Sequence, residues 1–162
     1  MMLKVGIGYD IHRLAPRRRL FIGGVRIPSP RGLLGHSDAD VVIHAICDAL
    51  LGAMGAGDIG HHFPDTDRAY KNASSLELLK KVGRLLEKNS YVVGNIDVML
   101  LLESPKISRY RNKMKTRMAK VLKIDRDQIS IKATTHEGVG AIGRGEAAAA
   151  YAVVLIQSRR SP

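Results

Sequence analysis

The stretch "EAAAAYAVVLIQ", Glu146 to Gln157, is where the fold is decided. Ala147 to Ala150 favour a helix. Tyr151 to Ile156 are rich in aromatic and β-branched residues and favour a strand. Local propensity leaves both readings open. Upstream, Ile129 to Thr134 reads as a strand, entered by a turn at Asp125 to Gln128. Before it, a basic helix is expected over Ile107 to Leu122, with Ile107, Tyr110, Met114, Met118, Val121 and Leu122 on its core side. Tyr91 to Glu103 reads as a long strand. A second helix is expected from Ser74-Ser75 to Lys88, with Leu76, Leu79, Val82, Leu85 and Leu86 on one face.

In the N-terminal half, Leu3 to Tyr9 reads as a strand and Leu20 to Ile27, "LFIGGVRI", as another, with a bulge or turn at Gly23-Gly24. "PSPRGLLGH" reads as a loop. Ser37 is placed as the N-cap of a helix running to about Met54, with Asp40 at its third position in a capping-box arrangement. "GAGDIGHHFPDTD" reads as a long polar loop. Strands separated by helices give an α+β or α/β layered domain, and 162 residues are enough for a single one with its own core.

Composition narrows the function. The apolar runs are too short to span a bilayer, and no apolar leader opens the chain, so a cytoplasmic site and no membrane partner are expected. The single cysteine, Cys47, lies in an apolar helical pattern and reads as a buried thiol. The net charge is +11, with basic clusters at Arg17 to Arg19, along Lys106 to Arg126, and at Arg159-Arg160. Aromatic residues make up only 4%, with no Trp, so there is no stacking platform for nucleic acid. An anionic small substrate suits the charge equally well.

Candidate chemistry begins at "GIGYDIHR", Gly6 to Arg13. Asp10 and His12 are two apart on a strand and share one face, about 6 to 7 Å apart at Cβ. Spacing alone fits an ion pair as well as a metal grip. Ile11 between them is expected to point into the core. His44, mid-helix, makes a third donor, with Asp48 one turn on as an acceptor for its outer nitrogen. Two histidines and one aspartate match a zinc site that keeps a coordination position open. His36 and Ser37 precede a helix and suit an anion at its positive end. Asp58, His61, His62, Asp65 and Asp67 crowd one loop and read as solvated, or as a second metal site. "KATTHEGVGAIGRGE" places Thr134, Thr135, His136 and Glu137 before a glycine-rich loop around Arg144, and such a loop can hold phosphate. Glu137 could bind Mg²⁺ beside substrate phosphates.

Taken together, "GYDIHR", "IGGVRIP", "GLLGHSDADVVIHAICDALLGAMGAGDIG", "HFPDTD", "NIDVMLLLESPK" and "IKATTHEGVGAIGRGE" resemble the 2-C-methyl-D-erythritol 2,4-cyclodiphosphate synthase family over nearly the whole chain. The resemblance implies an α+β, ferredoxin-like βαβ arrangement: a mixed sheet with helices on one face, in a homotrimer with active sites between subunits. It makes Glu146 to Gln157 a strand. It implies a cytidine diphosphate-linked substrate, 4-diphosphocytidyl-2-C-methyl-D-erythritol 2-phosphate, and release of CMP. By position, Asp10, His12 and His44 resemble the Zn²⁺ ligands at the substrate's edge, and Glu137 the ligand of Mg²⁺ or Mn²⁺. His36 and Thr135 resemble the residues that position the diphosphate in the reaction. Ser37, Ile59, Phe63, Pro64, Asp65, Thr66 and Asp67 resemble the erythritol phosphate pocket, and Asp58 and Gly60 the ribose contacts. Leu102, Glu103, Ser104, Pro105, Lys106, Ile107 and Ser108, with Thr134, resemble the cytidine pocket. Arg144 falls in the matching phosphate-contacting loop, and His136, grouped with the substrate-binding residues, stands where the family frequently has a small polar residue. Ala141 stands where the family often carries an aromatic residue.

Overall fold

The computed structural model describes residues 2–64 and 66–159. Asp65 and Arg160, both named above, therefore lie outside the described residues. Among the described residues seven strands are present: β1 (Leu3–Pro16), β2 (Leu20–Ile22), β3 (Val25–Ile27), β4 (Arg31–Leu33), β5 (Tyr91–Leu101), β6 (Ile129–Thr134) and β7 (Ala147–Ser158). Five helices accompany them: α1 (Val41–Met54), α2 (Ile59–His62), α3 (Ser75–Lys88), α4 (Arg111–Leu122) and α5 (Gly140–Gly143). A mixed five-stranded sheet runs β4-β1-β7-β5-β6, and β2-β3 form a separate hairpin. No helix is long and apolar enough to cross a membrane among the described residues.

The ambiguous stretch is the central strand. β7 pairs antiparallel with β1 from Leu3↔Gln157 to Arg13↔Ala147, and with β5 from Tyr91↔Ser158 to Leu101↔Ala149. Two full ladders outweigh alanine's helix preference, which is a few tenths of a kcal/mol per residue at about this level. The small side chains also have a use, since Ala148, Ala150 and Ala152 lie fully buried in the main core.

The alternation of β1 resolves against the sequence expectation. Its even positions, Gly6, Gly8, Asp10 and His12, face α1. A Cβ at Gly6 would stand 1.9 Å from the Ala49 carbonyl oxygen, and one at Gly8 1.9 Å from that of Ala45. Glycine lets α1 lie directly on the strand. The odd positions Val5, Ile7, Tyr9 and Ile11 fall on the opposite, open face and are 45–69% exposed. Ile11 does not enter the core. Tyr9 packs on Tyr151 across the ladder, ring centroids 4.7 Å apart, and Val153 extends the same apolar face.

Several boundaries differ from expectation: α4 begins at Arg111, after a 3-10 turn at Ser108–Tyr110, rather than at Ile107, β5 ends at Leu101 rather than Glu103, and α2 forms inside the segment read as a polar loop. Three further differences bear on the site. β1 continues to Pro16, because β4, in a segment read as loop, pairs with Leu14 to Pro16. "LFIGGVRI" is a hairpin turning at Gly23 (φ 57°) and Gly24 (φ 74°). α1 begins at Val41, not beside Ser37. Its cap is Asp40, whose carboxylate is fully buried and accepts from the backbone N–H groups of Gly23 (2.9 Å), Gly24 (2.7 Å) and Ile43 (3.2 Å). Burial, with Asp38 nearby, pushes the Asp40 carboxyl up to about 6. This one side chain ties the hairpin turn to the start of α1. Asp40→Ala leaves three backbone donors without their acceptor and is expected to cost about 3 kcal/mol or more, read as a lower denaturation midpoint in urea. Ser37→Ala, which leaves that cap in place, is expected to move the midpoint far less.

Candidate metal centre and second cleft

Asp10 and His12 are delivered by β1, His44 by the second turn of α1, and the glycine face of β1 sets how closely the two elements meet. One ligand atom from each of the three lies within 4.8 Å of the other two, the group of this kind found among the described residues. Asp10 Oδ2 is 3.0 Å from His44 Nδ1 and 3.1 Å from His12 Nε2, and the two ring nitrogens are 3.3 Å apart. Burial opposes ionisation of Asp10, but hydrogen bonds from His12 and His44 and their charges outweigh it and hold the carboxyl at about 2.

The outer nitrogens explain why the inner ones converge. His12 Nδ1 is 2.9 Å from the Leu34 carbonyl oxygen, which can only accept, so Nδ1 carries a proton; when the ring is neutral, Nε2 is the nitrogen that presents a lone pair. His44 Nε2 lies 3.0 Å from Ser75 Oγ and 3.1 Å from Ser37 Oγ. The Ser75 hydroxyl donates to the Asp38 carboxylate, so its oxygen accepts from His44 Nε2; when the ring is neutral, Nδ1, facing Asp10, is the nitrogen that presents a lone pair. An Asp–Ser–His relay thus orients the helical ligand, as outer partners do at metal sites. Two neutral imidazoles and a carboxylate in this disposition fit a borderline ion such as Zn²⁺.

Asp48 is not the acceptor for His44. Its Oδ1 instead takes the Ile59 N–H at 2.7 Å and anchors α2 to α1; its half-buried carboxyl is raised by burial and by nearby Asp58 and Asp10. The helix end expected to attract an anion is likewise occupied, by the Asp40 carboxylate.

The metal group borders a cleft of about 250 Å³ lined by Asp10, His12, His36, Ser37, His44, Ile59, Gly60 and Phe63, all expected at the site, and by Gly35, Tyr70 and Leu78. Asp58 and Asp67 act locally: Asp58 caps α2 through the His61 N–H, and Asp67 takes the Ala69 N–H. Pro64 and Thr66 do not line the cleft, and His62 bonds the Ala56 carbonyl at 2.7 Å. A second cleft of about 240 Å³ opens at the ends of β5 and β6, where Leu102, Glu103, Pro105, Lys106, Ile107, Ser108, Thr134 and Thr135 meet Ala133 and Arg111. Ser104 lies between two of its lining residues. His136, Glu137 and Arg144 line neither cleft. Glu103 accepts the His136 N–H, Thr135 Oγ1 donates to Glu137 at 3.2 Å, and Arg144 pairs with Glu146 at 2.8 Å.

The YgbB family model matches residues 3–157. The chain belongs to the YgbB family. A protein of Chlorobaculum parvum named 2-C-methyl-D-erythritol 2,4-cyclodiphosphate synthase is 55% identical over 157 residues, 97% of this chain and 100% of that one. One of the same name from Alkaliphilus metalliredigens is 56% identical over 154 residues, 95% and 97% of the two chains. Among solved structures, the bifunctional IspDF of Campylobacter jejuni superposes with a TM-score of 0.93 at 39% identity, covering 97% of this chain and 42% of that one. The CDP complex of IspF from Plasmodium falciparum gives 0.86 at 36% identity, covering 98% and 97%.

Within this YgbB family chain, sequence reasoning missed Asp38, Ser75, the Leu34 carbonyl and Arg111. Ser75 reads as a helix-start residue, and nothing in a spacing of 37 residues joins it to Asp38. The Leu34 contribution is backbone, which no residue type signals. Arg111 reads as part of a basic helix face.

Proposed function

We propose that this chain converts 4-diphosphocytidyl-2-C-methyl-D-erythritol 2-phosphate to 2-C-methyl-D-erythritol 2,4-cyclodiphosphate and CMP, a phosphorus–oxygen lyase step in isoprenoid precursor synthesis. The observation that carries this reading is the Asp10–His12–His44 group at the wall of a cleft, in a member of this family. The nucleophile is the substrate's own 2-phosphate, largely dianionic at neutral pH because its second pKa is about 6. CMP leaves as an anion. The protein therefore has to bring anions together and orient them, which is where phosphoryl-transfer enzymes act.

Asp10, His12 and His44 hold Zn²⁺. When bound, the ion supplies a Lewis acid for a diphosphate oxygen. His36 and Thr135 position the diphosphate, and Glu137 provides the carboxylate for Mg²⁺ or Mn²⁺. Ser37, Ile59 and Phe63, with the segment to Asp67, seat the erythritol phosphate. Asp58 and Gly60 meet the ribose. Leu102 to Ser108, with Thr134, form the cytidine pocket. The chain works as one domain and as a homotrimer. That assembly is supported by the apolar open face of β1 and β7, whose contiguous Val5, Ile7, Tyr9, Ile11, Tyr151 and Val153 suit a partner surface. It is supported too by the two clefts lying on different elements, so that one copy's metal cleft can meet another's nucleotide cleft.

Incubation with the cytidylyl substrate, followed by ³¹P NMR, tests the assignment. The expected products are CMP and a cyclic diphosphate. CMP with an open-chain product would make the protein a metal-dependent hydrolase instead.

A further inference from the structure

The cluster Arg17-Arg18-Arg19 has no part in the chemistry above, yet it is not a loose charged tail. Its three residues line a cavity of about 330 Å³ whose wall includes Ser37, a residue that also lines the metal cleft. The two spaces are therefore neighbours on either side of one serine. The backbone carrying the arginines is pinned from the β4 side. A Cβ at Gly32 would come within 2.3 Å of the Arg19 carbonyl oxygen, so the strand lies against the turn with no room between them.

The three arginines differ in their engagement. Arg18 is half-buried and donates to the carbonyls of Leu33 (3.4 Å) and Gly35 (3.2 Å), which fixes its guanidinium under the segment leading to His36. Arg17 and Arg19 are exposed, and neither forms an ion pair among the described residues. Asp38 also borders the cavity, but its carboxylate is taken up by the backbone N–H and hydroxyl of Ser75 and by the Asp40 N–H. The cavity is thus lined by three arginines, two of them exposed and without an ion pair among the described residues, against one carboxylate that is already satisfied. Guanidinium forks match phosphate oxygens in geometry as well as in charge.

We propose that this cavity is a phosphate-binding site beside the metal cleft, with Arg17 and Arg19 as its contacts and Arg18 as the residue that holds their turn in place. Its ligand is a phosphate group, either one carried by the substrate as it passes Ser37 or one on a separate phosphorylated molecule. The first source rests on the proposed function; phosphate binding itself does not.

The test uses the protein as purified, with inorganic phosphate and pyrophosphate as probes in isothermal titration at constant ionic strength. Arg17→Gly with Arg19→Gln removes both contacts; glycine suits the left-handed backbone at position 17 (φ 60°). A variant losing two charges from α4, Lys113→Gln with Lys120→Gln, controls for net charge. The arginine variant is expected to bind phosphate about tenfold more weakly, and the control to bind as the parent does. A raised KM with kcat kept in the arginine variant assigns the site to the substrate's phosphate. An unchanged KM with weakened phosphate binding assigns it to a separate ligand. Equal phosphate binding by the parent and the arginine variant, or no binding by the parent, overturns the proposal. If neither protein turns over the cytidylyl substrate, the function assignment fails while the phosphate titration still decides the site.

Discussion

His44→Ala is expected to abolish stable zinc binding and cyclisation while leaving the fold standing. His44 Nδ1 faces Asp10 Oδ2 at 3.0 Å and His12 Nε2 at 3.3 Å, so its removal deletes one of three donors from a preformed set. Even a partner that only orients a ligand contributes 10- to 100-fold to affinity, so loss of the donor itself is expected to weaken binding by more than about 100-fold. The side chain is not fully enclosed and α1 is anchored by its apolar face and by Asp40. The melting temperature is accordingly expected to fall by less than about 5 °C. Elemental analysis for zinc, alongside turnover of the cytidylyl substrate, reads the result. Parental zinc content with full turnover would remove His44 from the metal centre. Ser75→Ala gives the graded counterpart. It takes away the acceptor that orients His44 Nε2 and is expected to reduce zinc affinity within the 10- to 100-fold range.

The largest effect on stability is expected at Gly8. A methyl group there would lie 1.9 Å from the Ala45 carbonyl oxygen and 2.8 Å from the Ala49 nitrogen. Both are backbone atoms of α1, so no side chain can rotate out of the way. The helix has to lift off the strand, breaking the packing of Ile46, Leu50 and their neighbours, all fully buried. Gly8→Ala is therefore expected to cost about 3–5 kcal/mol, at the upper end of overpacking effects, and Gly8→Val to prevent folding. Gly52→Ala is the matched control in the helix itself. Its added methyl meets nothing closer than the Ile7 carbonyl oxygen at 4.0 Å, and it is expected to stabilise by about 0.5–1 kcal/mol. Urea denaturation of the three variants measures the contrast. A Gly8→Ala protein as stable as the parent would show that α1 does not sit against β1 in this way. Because α1 also carries His44, the same substitution is expected to weaken zinc binding in whatever fraction remains folded.

A good part of the molecule was legible in the residues alone. The i, i+2 rule puts Asp10 and His12 on one face of a strand whatever the rest of the chain does. The apolar spacing of Val41 to Leu50 requires a helix, and β6 begins and ends where its β-branched run does. Phe63, Ile59 and Ser37 were assigned through a family pattern, and the cleft gathers them. What the residues could not show was which face of β1 is covered. Alternating Val5, Ile7, Tyr9 and Ile11 with Gly6 and Gly8 reads as an apolar face turned inward, because glycine carries no hydropathy of its own. The opposite holds: the glycines face the helix, since absence of a side chain is what allows the closest approach, and the apolar residues stay on the open face. The helix cap passed from Ser37 to Asp40 for a similar reason. A fully buried carboxylate needs several donors, and the hairpin turn at Gly23-Gly24 supplies two that are remote in sequence.

Chain chemistry by itself thus determined the candidate ligand types, the strand face shared by Asp10 and His12, and the three long helices to within a few residues, all set by local periodicity and covalent geometry. Tertiary structure alone decided that Glu146 to Gln157 contributes a central strand, because pairing on two sides outweighs alanine's weak helical preference. It also decided that His44 comes opposite Asp10, and that Ser75 and Asp38 orient it. Those relations depend on the distance between a helix and a strand, which two glycines set by having no side chain.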